Sequence, residues 1–417
     1  MDSIDVEALA ALLSGTDLLH ADDDFHGPEV APAISVSTTF RHKEVPQSEA
    51  DVRFLFSSPE LTRTTKDHVY SRISQGTSTR VETILSKITG GCAITYSSGL
   101  AAAFAALVFL EPKKIAITGG YHGAHHVIST YKRGRTLEVV DLDDDFTGVD
   151  LAWVETPLNP TGEARNLQHY ADKVIHAVGG RLLVDATFGP PPLQSPFKWG
   201  TDIILHSGTK YLGGHSDLLA GVLVVKTDEE WGKLWFDRIA LGNVLGSLEA
   251  WLLLRSLRTL HLRVPRQSAT ATALADWLNK IANTPKGESF DGVAGGIVTK
   301  VWHSSLQGKD ASGWSPEQQM EGGHSPTFAM LLDNAEAAGA LPHLLKYFIP
   351  ATSLGGVESL IEQRRRSSPN DDPRLLRISV GVEELVDMKA DFRQAFKALE
   401  VIVHHSRYER HSRLTGK

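Results

Sequence analysis

The sequence predicts an α/β protein whose mostly parallel central sheet is covered by helices, with a smaller α+β domain at its C-terminal end. Three observations predict it. Short β-rich runs alternate with helical stretches between about 66 and 265. Those runs are apolar on both faces, as strands covered by helices on two sides must be. Two residues able to do chemistry, Asp185 and Lys210, fall at the C-terminal ends of such runs, where open α/β sheets bind ligands.

Residues 1–65 are extended and polar, with the acidic Asp22-Asp23-Asp24 and few periodic apolar positions, and read as an arm lying on a partner subunit. Strands are expected over 114–117, 137–140, 151–154, 182–184, 203–205 and 222–225, within a ligand-binding domain of 66–265. The longest apolar stretch, 100–110, is a buried helix, since a bilayer takes roughly 20 residues. Leu248, Trp251, Leu252 and 255–262 carry helical spacing and predict one long helix leading into a C-terminal domain, 266–417. There, 281–296 and 307–316 are rich in Gly, Ser and Asp and read as surface loops. Arg364-Arg365-Arg366, before Ser-Ser-Pro-Asn-Asp-Asp, reads as a solvated loop.

At 417 residues, 41% hydrophobic and 22% charged, the chain is long enough for two or three packed units. A net charge of −8 gives no electrostatic footprint for nucleic acid or an anionic membrane. The one cysteine, Cys92, excludes intrachain disulfides and Cys-based zinc motifs and points to a reducing, cytoplasmic compartment. Residues 1–16 lack the basic start and long apolar core of a secretory signal.

Ser207-Gly208-Thr209-Lys210 places a lysine at a strand end behind two hydroxyls, with Asp185 one strand earlier. A lone lysine after a strand is ordinarily solvated. The set also reads as the S-x-x-K of a serine acyl-transferase, but Ser216-Asp217 is followed by Leu218 rather than Asn and no K-T-G occurs. Together with Asp185 it answers the demands of pyridoxal phosphate (PLP), whose aldehyde, ring nitrogen and phosphate must be held at once. Lys210 supplies the imine-forming amine and proton carrier. Asp185 keeps the ring nitrogen protonated. Ser207 and Thr209 donate to the phosphate, and Ser98-Gly99-Leu100 opens a helix whose backbone N–H groups complete its cradle. His122 and His126 stand at i, i+4, but no carboxylate accompanies them, so they read as polar lining and no metal is expected. His206 reads as a packed neighbour of the lysine turn.

In collinear order from about Pro32 to Val382, the chain resembles the Cys/Met-metabolism PLP enzymes: cystathionine γ-synthases, cystathionine β- and γ-lyases and O-acetylhomoserine sulfhydrylases. The resemblance rests on Pro32-Ala33-Ile34 with Ser37-Thr38-Thr39-Phe40, Tyr70-Ser71-Arg72, Ser98-Gly99-Leu100, Tyr121, Glu155-Thr156-Pro157-Leu158-Asn159-Pro160, Ser353-Leu354-Gly355-Gly356-Val357-Glu358-Ser359 and Arg377-Ile378-Ser379-Val380-Gly381. It implies the PLP-dependent fold type I, similar to aspartate aminotransferase. It implies that Tyr121 stacks on the ring and assists proton transfer, and that Asn159 bonds the ring oxygen. Arg377 and Ser353 would hold the substrate α-carboxylate. Tyr70 and Arg72 would reach the phosphate of a neighbouring subunit, in a homodimer that pairs into a tetramer.

The departures bear on the reaction. Thr352 and Val69 stand where family members tend to carry acidic residues, Leu100 replaces Met, and His122-Gly123 replaces Gly-Gly. His126 is near where some synthases place an arginine for a succinyl carboxylate. The implied activity is γ-replacement on an O-activated L-homoserine, acetyl rather than succinyl, with a thiol or carbon nucleophile. The alternative is C–S bond cleavage by a cystathionine β- or γ-lyase.

Overall fold

In the computed structural model, which describes residues 12–41 and 68–415 (the side chains of 175–178 and 401–415 excepted), the chain divides into two compact units. The first comprises Met1–Thr156, Arg165–Leu262 and Gln319–Gly322; the second Pro157–Ala164, Arg263–Gln318 and Gly323–Lys417.

The first unit is built on β1 (Cys92–Tyr96), β2 (Lys114–Ala116), β3 (Glu138–Val140), β4 (Leu151–Glu155), β5 (Arg181–Asp185), β6 (Ile203–Ser207) and β7 (Gly221–Val225). They form one seven-stranded sheet in the order β1-β7-β6-β5-β4-β2-β3. The run from β3 to β6 is parallel, and β7 is antiparallel to both its neighbours. Every residue of β4 and β7 is buried, which is why these strands read as unbroken apolar runs. β3 departs from that expectation: it is an edge strand, and Val139 is exposed. β1 escaped the sequence reading.

The helices of this unit are α1 (Gly15–His20), α2 (Gly76–Thr89), α3 (Gly99–Leu110), α4 (His122–Tyr131), α5 (Leu167–Val178), α6 (Asp228–Leu241) and α7 (Ser247–Leu257). Composition and capping account for α3. Ser98 accepts from the Ala101 N–H at its start, Glu111 closes it in the left-handed region, and buried Ala102, Ala103, Ala105 and Ala106 let it lie close to the sheet.

The second unit carries α8 (Leu260–Ala282), which it takes over at Arg263, α9 (Ala335–Leu344) and α10 (Leu385–Thr415). Its sheet joins β10 (Val298–Trp302), β11 (Thr327–Leu332), β12 (Ile349–Pro350), β13 (Leu360–Gln363) and β14 (Leu375–Ser379) in the order β10-β11-β14-β13-β12. Trp277, Phe328, Phe348, Phe392 and Phe396 anchor its core. No helix among the described residues is long and apolar enough to cross a membrane.

Four expectations change. The N-terminal segment is not an arm throughout: α1 packs on α2 of the same chain, Leu18 is fully buried, and Asp22 forms a buried ion pair with Arg80. Residues 27–41 are extended and largely exposed, and the remainder of the expected arm, 42–65, lies outside the described residues. The single helix expected across 248–262 is two, because the chain breaks at Arg258-Thr259. Within 281–296, Ile281 is buried at the end of α8, and β8 (Ser289–Phe290) and β9 (Val293–Ala294) form a hairpin with Val293 in the core, so this segment is not a plain surface loop. Finally, Arg364 is buried and ion-paired rather than solvated.

Candidate active site

Parallel pairing sets Glu155 of β4 opposite Asp185 of β5, and Asp185 opposite Leu205 of β6. Three neighbouring strands therefore deliver Glu155, Asp185 and Ser207-Gly208-Thr209-Lys210 to one edge of the sheet. Asp185 is 7% exposed, and its Oδ1 accepts from the Thr187 N–H at 3.0 Å. Burial pushes its pKa up to about 6, with the Thr187 hydrogen bonds opposing the rise. Thr187 Oγ1 also accepts from the Ser207 N–H at 2.8 Å, so this threonine ties the aspartate to the lysine turn. Lys210 is half-buried; its N–H donates to Ser207 O at 3.1 Å and its carbonyl accepts from Gly214 at 2.6 Å, which closes the turn.

The start of α3 faces this turn. A Cβ on Gly99 would lie 3.1 Å from Ser207 Cβ and Oγ, and one on Gly221 would run into the Ser98 carbonyl. Glycine at both positions lets a helix N-terminus press against the lysine turn. Ser98 Oγ takes the Ala101 N–H, leaving those of Gly99 and Leu100 with no intrahelical acceptor. A helix N-terminus beside a serine hydroxyl suits a phosphate. Thr209 is placed differently from the sequence expectation: its hydroxyl accepts from Ala220 N at 3.0 Å and donates to Ala220 O at 3.4 Å, anchoring the turn to the chain entering β7.

Tyr121 caps α4, and Glu155 Oε2 accepts from its N–H at 2.7 Å. Gly120, at φ 77°, folds against the same carboxylate. The Tyr121 ring lies over Gly123, with Leu100 alongside. His122 packs on Tyr121 with ring centroids 4.8 Å apart, and His126 on His122 at 5.6 Å. His206 is buried, and desolvation drives its pKa down to about 4, so it is a neutral packing residue at physiological pH. Tyr70 and Arg72 form a separate exposed pair, the guanidinium 5.4 Å from the ring centroid, beside the extended segment that Thr39 bridges to Tyr70.

In the second unit Arg377 of β14 is 5% exposed. Its Nη1 donates to Asn159 Oδ1 at 3.1 Å, and its Nη2 donates to Ser353 O at 3.1 Å and to Glu362 Oε2 at 2.8 Å. Ser353 adopts φ 86°, a left-handed conformation that aims its carbonyl at the guanidinium. The structure thus gathers Asn159, Ser353 and Arg377, and adds Glu362, which faces Arg377 across the β13–β14 ladder. The sequence reading missed Thr187 and Glu362 and gave Glu155 no role. Glu155 alone had a legible signal, as the acidic residue closing a predicted strand.

The donor set can be tested against PLP. Asp185 is an acid whose charged form burial disfavours, and a protonated ring nitrogen would offset that cost. The Gly99 approach to Ser207 sets a helix N-terminus beside a hydroxyl, a donor set that would suit its phosphate. The residues fit the group.

Known proteins agree. The model of the Cys/Met metabolism PLP-dependent enzyme family matches residues 15–397. The chain is similar to the cystathionine gamma-lyase of Saccharomyces cerevisiae, 30% identical over 92% of this chain and 96% of the relative. It is also similar to the cystathionine gamma-synthase/O-acetylhomoserine (thiol)-lyase of Bacillus subtilis, 32% identical over 89% of this chain and 92% of the relative. The crystal structure of metB from Corynebacterium glutamicum superposes with a TM-score of 0.77 at 27% identity, covering 92% of this chain and 98% of that one. The chain belongs to the Cys/Met metabolism PLP-dependent enzymes, it has their fold type I architecture, and pyridoxal 5'-phosphate is its cofactor.

Proposed function

We propose that the protein catalyses γ-replacement on O-acetyl-L-homoserine, exchanging the acetoxy group on Cγ for a thiol or carbon nucleophile. When bound, PLP supplies the electron sink that makes the substrate's Cα and Cβ protons labile. Lys210 Nζ takes the α-proton, gives it up to the cofactor's aldehyde carbon and, a neutral amine once more, takes a β-proton, as a base held at a strand end. Tyr121, fixed through its backbone by Glu155, assists proton movement with its phenol. Asp185 holds the ring nitrogen, Asn159 the ring oxygen, and Ser98, Gly99, Leu100 and Ser207 the phosphate. Arg377 receives the α-carboxylate with Ser353 beside it, because a rigid fork suits a planar bidentate anion. Acetate leaves Cγ with the bonding pair, the nucleophile adds there, and the nucleophile's proton balances the released acid. Tyr70 and Arg72 reach the phosphate of a second copy, making the working unit a homodimer or an assembly of dimers.

The observation that carries replacement over cleavage is the neutral pair Thr352 and Val69: without acidic residues there to hold an incoming amino group, a nucleophile lacking one is favoured. The similarity to a Bacillus subtilis protein described as both synthase and thiol-lyase supports this reading. Similarity to the yeast cystathionine gamma-lyase favours a second reading, cleavage of cystathionine. The holoenzyme incubated with O-acetyl-L-homoserine and a panel of thiols and stabilised carbanions, with products read by mass spectrometry, separates them. Substituted 2-aminobutyrates support replacement; rapid 2-oxobutanoate and ammonia without any nucleophile refute it.

A further inference from the structure

Arg364-Arg365-Arg366 is a run of like charges at the end of β13, yet its members part company: Arg364 is 4% exposed while Arg365 and Arg366 face solvent. Its Nη1 donates to Glu362 Oε2 at 3.0 Å, the oxygen that also accepts from Arg377 Nη2 at 2.8 Å. The same Nη1 also donates to Ser367 Oγ at 3.0 Å, and Nε donates to Asp371 Oδ2 at 3.3 Å. One buried carboxylate is thus shared between two buried guanidiniums.

The charge count gives this sharing a consequence. Arg377 with Glu362 alone is a neutral pair, and a neutral pair draws an incoming carboxylate weakly. With Arg364 on the same oxygen, the trio keeps one positive charge in a site that solvent screens little. Asp371 offsets it less, because its side chain is 28% exposed against 5% for Glu362 and Arg364. Lysine could not replace Arg364, since the three acceptors lie around one planar fork.

We infer that Arg364 is a positioning residue for substrate: acting through Glu362, it keeps the Arg377 pocket cationic enough to hold an amino acid's carboxylate. The inference rests on the proposed role of Arg377. The test titrates the holoenzyme with L-2-aminobutyrate, and with 1-propylamine, the same chain without a carboxylate, following the cofactor's visible absorbance band. Arg364→Met is expected to weaken L-2-aminobutyrate on the order of tenfold and 1-propylamine by no more than about twofold. Adding Glu362→Gln to Arg364→Met restores most of the loss, because Arg377 then faces a neutral amide. A residue that merely caps the strand predicts the opposite, a double variant at least as weak as the single. Asp371→Asn, at a partly exposed site that keeps the fold, tightens L-2-aminobutyrate about twofold. Wild-type affinity in Arg364→Met, or no rescue in the double variant, overturns the inference. Should Arg364→Met not fold, unchanged or weaker binding by Asp371→Asn overturns it instead. An Arg377→Lys variant separates the levels: if it binds like wild type, the reading of Arg377 falls and takes this inference with it. If it is weakened while Arg364→Met is not, the inference alone fails.

Discussion

Replacing Asp185 by asparagine tests whether the fold holds a carboxylate in reserve for a cationic ring. Its pKa of about 6, against an ordinary 3.8, means that the cofactor-free fold disfavours the charged form by about 3 kcal/mol. The sign follows from linkage. A folded-state pKa above the unfolded value makes the native state bind the proton more tightly, so stability is greatest below pH 3.8 and is lost as pH rises through 6. Above pH 6 the apoprotein carries the full cost, and asparagine, which cannot ionise, does not. Apo Asp185→Asn should therefore be more stable than the apo wild type at pH 8, by up to about 3 kcal/mol, and should lose that advantage at pH 4. Adding PLP reverses the order at pH 8, since only the carboxylate gains a charge partner. Urea unfolding of both proteins, with and without PLP from pH 4 to 8 and followed by tryptophan fluorescence, reads all four states. An apo difference that does not grow between pH 4 and 7, or an apo asparagine variant that is the weaker at pH 8, would show that Asp185 is already compensated within the chain.

Three further outcomes are expected. Lys210→Ala abolishes turnover while PLP still binds through its phosphate, so borohydride fixes no cofactor to the chain; residual turnover near wild type would remove the lysine from the chemistry. Gly123→Ala sets a Cβ 2.7 Å from Tyr121 Cζ, displacing the ring, and kcat falls on the order of 100-fold with the protein still folded by circular dichroism. Asp22→Ala strands the buried Arg80 without its carboxylate and costs about 3 kcal/mol or more in urea unfolding, whereas an arm lying only on a partner would leave the isolated subunit unaffected.

What was legible in the sequence is what the backbone dictates locally. Six strands of the first sheet, the capped helix at Ser98 and the strand-end positions of Asp185 and Lys210 all follow from short-range pattern, because apolar runs, caps and turns are properties of neighbouring residues. β1 escaped because Cys92-Ala93-Ile94-Thr95-Tyr96 mixes apolar with polar residues, and Thr95 is a core position only because the distant Glu82 accepts from both its N–H and its hydroxyl. The same physics hid the electrostatics of the Arg377 cluster. Glu362 meets Arg377 through the β13–β14 register, and Asn159 reaches the same guanidinium from 218 positions away. A run of three arginines looks like a solvated patch whenever composition is all that is read. Burial of the first of them was decided by a carboxylate two residues earlier that already had a guanidinium on it. Charges inside a protein are chosen in networks, and a linear sequence lists the members of a network without saying which share an oxygen. The chain was therefore readable at the strand ends and helix cap where the proposed cofactor residues stand, and unreadable at the residues that set the charge around Arg377.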